Sequence, residues 1–250
     1  MDDPNFDPRS FERRWRERFA EFASLREDDA GIAGWSVSGL ETRMRFFRSR
    51  WRAMPAGSAC LDVGCGAATY TRWLAEQGQD VIGLDYSHPA LIKARARTPT
   101  HIPLCVGDAT ELPFPDRTFD AVLCFGVLQA MATSAPVVRE LGRVLKPGGT
   151  LWIDALNHAA VTARAERLRL KMKGKGVHLR YEFPQRLRQD LADAGFGAIV
   201  RHWLPIVPSR VRGLQPIFES APIRAAFHAW PWVGSALSHA FVFEALRDMR

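Results

Sequence analysis

The stretch Leu61-Asp62-Val63-Gly64-Cys65-Gly66-Ala67-Ala68-Thr69 decides how the rest of the chain reads. An apolar run carrying one acid leads into a turn with two glycines, and the turn leads into residues with helical spacing. A second apolar run, Val81-Ile82-Gly83-Leu84, ends on Asp85. A strand, a glycine turn, a helix and an acid-tipped strand build the crevice that takes a nucleoside in open α/β sheets. Glycine leaves no Cβ between a ligand and the backbone. A carboxylate about 20 residues further on suits the two hydroxyls of a ribose. The dinucleotide fingerprint Gly-x-Gly-x-x-Gly is incomplete, because Thr69 holds its last place, and no Gly-Lys-Ser/Thr phosphate loop is present.

Working outward, strand and helix patterns alternate: strand 59–63, helix 68–77, strand 80–85, helix 88–96, strand 102–106, strand 119–125, helix 134–144 and strand 150–156. Such alternation implies a parallel sheet with helices on both faces. Lys146-Pro147-Gly148-Gly149 reads as a turn between the last helix and strand. Leu112-Pro113-Phe114-Pro115-Asp116 reads as a rigid loop whose phenylalanine packs.

Two further segments follow at matching distances: Gly107-Asp108-Ala109-Thr110-Glu111-Leu112-Pro113-Phe114-Pro115-Asp116-Arg117-Thr118-Phe119-Asp120-Ala121-Val122-Leu123 and Glu140-Leu141-Gly142-Arg143-Val144-Leu145-Lys146-Pro147-Gly148-Gly149-Thr150-Leu151. With Leu61 to Ala68 and Val81 to Ser87, they closely resemble the class I S-adenosylmethionine-dependent methyltransferases. The nearest resemblance is to the small-molecule branch that includes quinone-biosynthesis and sterol-type enzymes, and it covers about residues 56–156. It implies a Rossmann-like, seven-stranded, mostly parallel sheet of order 3-2-1-4-5-7-6 with its last strand antiparallel.

The resemblance also implies roles. Asp62 corresponds to the acid that helps hold the methionine amino group. Gly64, Cys65 and Gly66 form the turn that packs on the cofactor. Asp85 corresponds to the ribose carboxylate, Tyr86 to a position that touches adenine, and Asp108 with Ala109 to the pair that reads the adenine edge. Phe125 corresponds to a position whose backbone meets the methionyl part. The family usually shows Gly-x-Gly-Thr-Gly where this chain has Ala67-Ala68. The Ala68 methyl is expected to narrow the approach and to bar positive φ.

The reaction implied is transfer of a methyl group from S-adenosylmethionine to a small acceptor, through oxygen, nitrogen or carbon, with S-adenosylhomocysteine as product and no metal. A non-catalytic protein that binds either compound is the alternative. A nicotinamide-dependent oxidoreductase is disfavoured by Thr69 and by Asp108-Ala109. Alignment and water exclusion supply much of such a rate, and a phenol or enol acceptor would gain from a base. His158, on the carboxyl edge of the sheet, and Tyr181 are the candidate catalytic groups, with His178 beside them. Gln129 could hydrogen-bond an acceptor, and Trp35, Trp203, Trp230 and Trp232 could line an apolar pocket or merely pack. Nucleic-acid acceptors are disfavoured, because Cys124-Phe125-Gly126-Val127 stands where an Asn/Asp-Pro-Pro-aromatic motif is expected.

The 250 residues, 47% hydrophobic and 24% charged, suit one domain, taken as 1–250. In it, residues 9–53 form an N-terminal helical lid, 56–156 the cofactor-binding core, and 157–250 the acceptor-side helices and final strands. Phe11, Trp15, Phe19 and Phe22 recur at helical spacing within 9–25, and Leu40, Met44, Phe47 and Trp51 within 38–53. These stripes suit either a lid or plain core contacts. Residues 1–8 read as flexible.

Beyond residue 156, Val161, Ala165, Leu168 and Met172 make an apolar helical stripe among Arg164, Arg167, Arg169, Lys171, Lys173 and Lys175, and Gly174 and Gly176 end that helix. The basic helix could hold an acidic or lipophilic acceptor, touch anionic lipid weakly, or simply be solvated. Pro184 to Ala194 reads as a helix, Gly195-Phe196 opens a strand, and a final strand spans about 238–247. Four cysteines without a Cys-x-x-Cys pair, no leader pattern and no run of 18 apolar residues suggest buried thiols and a cytoplasmic setting. The net charge of +7 attracts acidic partners.

Overall fold

The apolar run Ala59–Val63 becomes strand β1 at the centre of a sheet, with parallel neighbours on both sides. The computed structural model describes residues 7–173, 179–207 and 209–249. Its strands are β1, β2 (Asp80–Asp85), β3 (Leu104–Val106), β4 (Phe119–Cys124), β5 (Leu145–Leu156), β6 (Phe196–Leu204) and β7 (Ala240–Arg247). They lie in the order β3-β2-β1-β4-β5-β7-β6. The first five are parallel, and β7 runs antiparallel between β5 and β6. This is the topology expected from the resemblance.

Side chains alternate across the sheet, as the pleat requires. Leu61 and Val63 of β1 join Val122, Leu151 and Ile153 on one face. Cys60 joins Leu123, Trp152 and Val242 on the other. Helices α6 (Ala135–Val144) and α8 (Pro184–Asp193) supply Leu141, Leu187 and Leu191 to the first face. Helices α3 (Val37–Arg50) and α4 (Thr69–Glu76) supply Met44, Phe47 and Leu74 to the second. Phe47 is fully buried and meets the rings of Trp51, Tyr70, Trp73, Phe125 and Trp152. Phe114 packs edge-on against Phe119 at 5.1 Å. All four cysteines are unpaired thiols, and burial pushes the Cys60 thiol up to about 12.

The remaining helices are α1 (Pro8–Leu25), α2 (Asp29–Ile32), α5 (His88–Arg95), α7 (Val161–Met172), α9 (Gln215–Phe218), α10 (Ala221–Ala229) and α11 (Pro231–Leu237). Asp7 caps α1 by accepting from the backbone of Arg9 and Ser10, as an N-cap acid does.

Two expectations are corrected. Lys146-Pro147-Gly148-Gly149 does not separate a helix from a strand. It belongs to β5, whose pairing with β4 starts at Leu145, shifts register, and resumes at Thr150. Gly148 at φ +76° absorbs the irregularity, as in a bulge, and Lys146 Nζ holds both Asp120 oxygens at 2.8 Å. Second, Ala68 does adopt positive φ, at 60°. The left-handed region is costly for an L residue but not closed to it. A 2.7 Å bond from Ala68 N to Cys65 O and the start of α4 at Thr69 hold it there. The stripe of α7, whose use the sequence left open, faces outward. Val161, Leu168 and Met172 are 57%, 60% and 74% exposed, and Ala163 is the one buried residue of that helix. Gly174, Gly176 and His178 lie outside the described residues, as do residues 1–6.

Candidate functional site

Parallel strands β1, β2 and β4 end on the same edge of the sheet, so the turns that follow them converge. After β1 the chain reverses through Gly64 (φ +74°) and Gly66 (φ +52°). A Cβ on Gly64 would come within 2.3 Å of Val127 Cγ2, so the turn both needs its backbone angle and has no room for a side chain. Gly64 N and Cys65 N donate to Leu84 O at 2.7 and 3.0 Å, which ties the turn to the end of β2.

Of the five acids that line the cavity among the described residues, three lie on or just after the strands. Asp62, on β1, is 1% exposed and accepts from Thr71 Oγ1 at 2.7 Å. Burial holds its carboxyl up near 7, with the Thr71 bonds opposing and nearby Asp85 adding to the rise. Asp85, at the tip of β2, accepts from Gly66 N and Ser87 N, each at 2.8 Å. Burial again raises its pKa, against those backbone donors. Asp108, after β3, accepts from Thr110 N and Oγ1 and pairs with Arg16. Burial works against its ionisation, but the Thr110 and Arg16 contacts outweigh it and hold the carboxyl below its usual range.

The other wall comes from the N-terminal helices. Trp15, Arg16 and Phe19 of α1, Ile32 of α2, Ala33, Trp35 and Leu40 all line the cavity. Phe19 meets the Tyr86 ring edge-on at 5.9 Å, the Arg16 guanidinium lies 5.7 Å from that ring, and Tyr86 OH donates to Trp15 O at 3.2 Å. Asp29, from α2, accepts from Thr69 Oγ1 at 2.7 Å and pairs with Arg72 and Arg97. The free space among these walls, with the solvent at its mouth included, is about 1030 Å³.

The floor carries two features that the sequence reading missed. Tyr70 lies parallel to Phe125, with ring centroids 4.8 Å apart. It is 5% exposed, and its hydroxyl has no hydrogen-bond partner among the described residues. Behind it, Asp154 of β5 accepts from Arg43 Nε at 2.6 Å and from Gly126 N at 2.7 Å, and Arg43 stacks on Trp35 at 4.6 Å. A signal existed for this pair: an acid inside the apolar run Trp152-Ile153-Asp154-Ala155-Leu156 needs a buried partner.

Asp62, Gly64, Cys65, Gly66, Asp85, Tyr86, Asp108, Ala109 and Phe125 therefore all line one cavity, and Trp35 joins them. His158 and Tyr181 do not. The His158 ring is 3.9 Å from that of Phe183, Arg167 contacts its Nε2, and Arg167 Nη2 donates to its carbonyl at 2.7 Å. Tyr181 lies under the same arginine, at 5.7 Å. Gln129 is buried, and its backbone carbonyl accepts from Arg180 N at 3.2 Å. Trp203 packs against Gly234, while Trp230 and Trp232 are exposed.

The profile of a family described as methyltransferase domain matches residues 61–153. A demethylmenaquinone methyltransferase of Bacillus licheniformis is 40% identical over 101 residues, which cover 38% of this chain and 44% of that protein. A ubiquinone biosynthesis O-methyltransferase of Aliivibrio fischeri is 30% identical over 141 residues, covering 52% of this chain and 60% of that one. The chain thus spans about half the length of the curated relatives it matches. Among solved structures, Haemonchus contortus phosphoethanolamine N-methyltransferase 2 in complex with S-adenosyl-L-methionine superposes with a TM-score of 0.64 at 17% identity, over 92% of this chain and 60% of that one. That likeness is one of fold.

Proposed function

We propose that this chain, whose residues 61–153 match a methyltransferase domain, transfers a methyl group from S-adenosylmethionine to a small, lipophilic acceptor. The observation that carries this reading is the row Asp62, Asp85, Asp108 along one wall of a cavity whose turn excludes any Cβ at Gly64. In order, the three acids suit an ammonium group, a ribose and an adenine amine. Helices α1 to α3 act as the lid. The unpartnered Tyr70 hydroxyl, buried in the floor, suits a polar atom of the ligand, because a buried donor left unmade costs free energy that a ligand can recover.

When bound, the sulfonium supplies an already activated methyl group. The chain's own contribution is alignment and exclusion of water. Trp15, Phe19, Trp35 and Tyr86 form apolar walls, and an acidic row in a low-dielectric site favours a cationic ligand over a neutral one. The lipophilic acceptor follows from these walls and from the quinone enzymes among the relatives.

One observation favours the second reading, ligand binding without catalysis: no histidine or lysine lines the cavity among the described residues. An acceptor that needs a base would find only carboxylates, the hydroxyls of Tyr70 and Tyr86 and the Cys65 thiol. Calorimetry with S-adenosylmethionine, S-adenosylhomocysteine and NAD tests the cofactor. Binding of NAD alone refutes the reading. Asp85→Ala is expected to weaken S-adenosylhomocysteine binding by about 100-fold, the loss of charge-assisted hydrogen bonds, and unchanged affinity would remove the ribose assignment. Radiolabelled methyl transfer into the lipid-soluble fraction of a cell extract then separates catalysis from binding.

A further inference from the structure

Helix α7 is built the wrong way round for a helix that only serves a core. Its apolar stripe, Val161, Ala165, Leu168 and Met172, points to solvent, and it buries only Ala163. A twelve-residue helix is marginal on propensity alone and normally gains its stability from a packed apolar face. Its neighbour α11 repeats the pattern: Gly234 is its one buried residue, while Trp232 is 74% exposed and Trp230, just before it, 57%. Exposed apolar side chains standing singly are ordinary. Two adjoining helices that both turn their large apolar residues outward are not.

Charge indicates what covers them. Residues 161–173 carry five lysines and arginines against one glutamate, and residues 211–237 carry two arginines against one glutamate. Arg164, Lys171 and Lys173 are exposed, and Arg169 pairs with Glu166 at 3.3 Å. Arg167 is held by His158. Long basic side chains beside an apolar stripe can extend to headgroups while the stripe enters the acyl boundary. Tryptophan favours that same boundary.

Position adds a third argument. β7 runs antiparallel to β5, so Ala240 pairs with Leu156, and Asn157 Nδ2 donates to Ser235 O at 2.7 Å and Ser238 O at 2.9 Å. The start of α7 and the end of α11 therefore meet at the carboxyl edge of the parallel strands, the edge on which the cavity lies.

We propose that α7 and α11 together form a docking surface for an anionic lipid bilayer. Lipid binding is independent of methyl transfer and stands if that reading fails. The full chain is expected to co-sediment with phosphatidylglycerol–phosphatidylcholine vesicles at low ionic strength, to be released by about 1 M salt, where charges more than about 3 Å apart are screened, and to leave pure phosphatidylcholine vesicles in solution. Arg164→Gln with Lys171→Gln should lower the partition coefficient about tenfold or more. Leu168→Ser with Trp232→Ser should lower it to a similar extent. All four side chains are exposed and outside the cavity, so an unchanged thermal melt reports that each variant is folded. No binding to anionic vesicles, equal binding to uncharged ones, or binding unchanged in both variants overturns the proposal. So does light scattering that shows a stable dimer dissolved by L168S/W232S, since the apolar face would then belong to a second copy.

Discussion

Asp62 and Tyr70 are buried polar groups on the cavity wall, and both make testable statements. Burial holds Asp62 near 7, against 3.8 for a free carboxyl. Between about pH 4 and 7 the folded chain therefore binds a proton that the unfolded chain has lost, so this group's contribution to stability is full below 4 and falls as pH rises through 7. A cationic ligand reverses the preference. Cofactor affinity should strengthen from pH 5 to 7 by up to about tenfold per unit, with proton release, and calorimetry in buffers of different ionisation enthalpy reads both. Binding without proton release would separate Asp62 from the ligand. Tyr70→Phe removes a hydroxyl with no partner. It is expected to leave the ligand-free protein as stable or more stable by up to about 1 kcal/mol, and to weaken S-adenosylhomocysteine binding about fivefold to tenfold. Thermal melts with and without ligand would separate the two effects. Asp85 was legible in the sequence because it ends an apolar run, and Asp62 and Asp108 because their segments resemble the family's motifs. Tyr70 was not, since a tyrosine in the first turn of a helix carries no mark of what its ring will face.

At the scale of elements, α1 and α3 do different work. Arg16 reaches from α1 to Asp108, a partner 92 residues away, and it is 54% exposed. An exposed pair contributes little to stability, about 0–1 kcal/mol, but this one crosses the cavity from the N-terminal helix to the wall. Arg16→Ala should therefore speed dissociation of S-adenosylhomocysteine several-fold in stopped-flow while leaving the melting curve almost unchanged. Phe47 anchors α3 on the sheet. Phe47→Ala should cost about 3–5 kcal/mol in denaturant unfolding, and a smaller loss would mean that the ring cluster re-forms around the gap. The helical stripes of 9–25 and 38–53 could be read from spacing alone. Whether they covered a ligand or only a core could not, because both uses bury the same face. Helix α2, four residues long, is too short to leave a period.

For the whole molecule, the parallel half was readable because each βα unit writes itself locally: apolar run, turn, helical stripe. Beyond Leu156 that logic fails. The helices between 215 and 237 bury one residue each, so no stripe announces them, and the stripe of α7 faces outward. Ion pairs such as Arg43–Asp154, separated by 111 residues, are products of topology and cannot be seen from either partner's neighbourhood.

The placement of β7 between β5 and β6 bears on how the sheet is assembled. β6 is made first, yet it has no hydrogen-bonding neighbour until β7 arrives, and β5 keeps an open flank for the same interval. Unpaired strand edges invite association with other chains. During synthesis the nascent protein thus carries two sticky borders that a single late insertion seals together, so its period of greatest vulnerability to aggregation falls just before the last strand threads home.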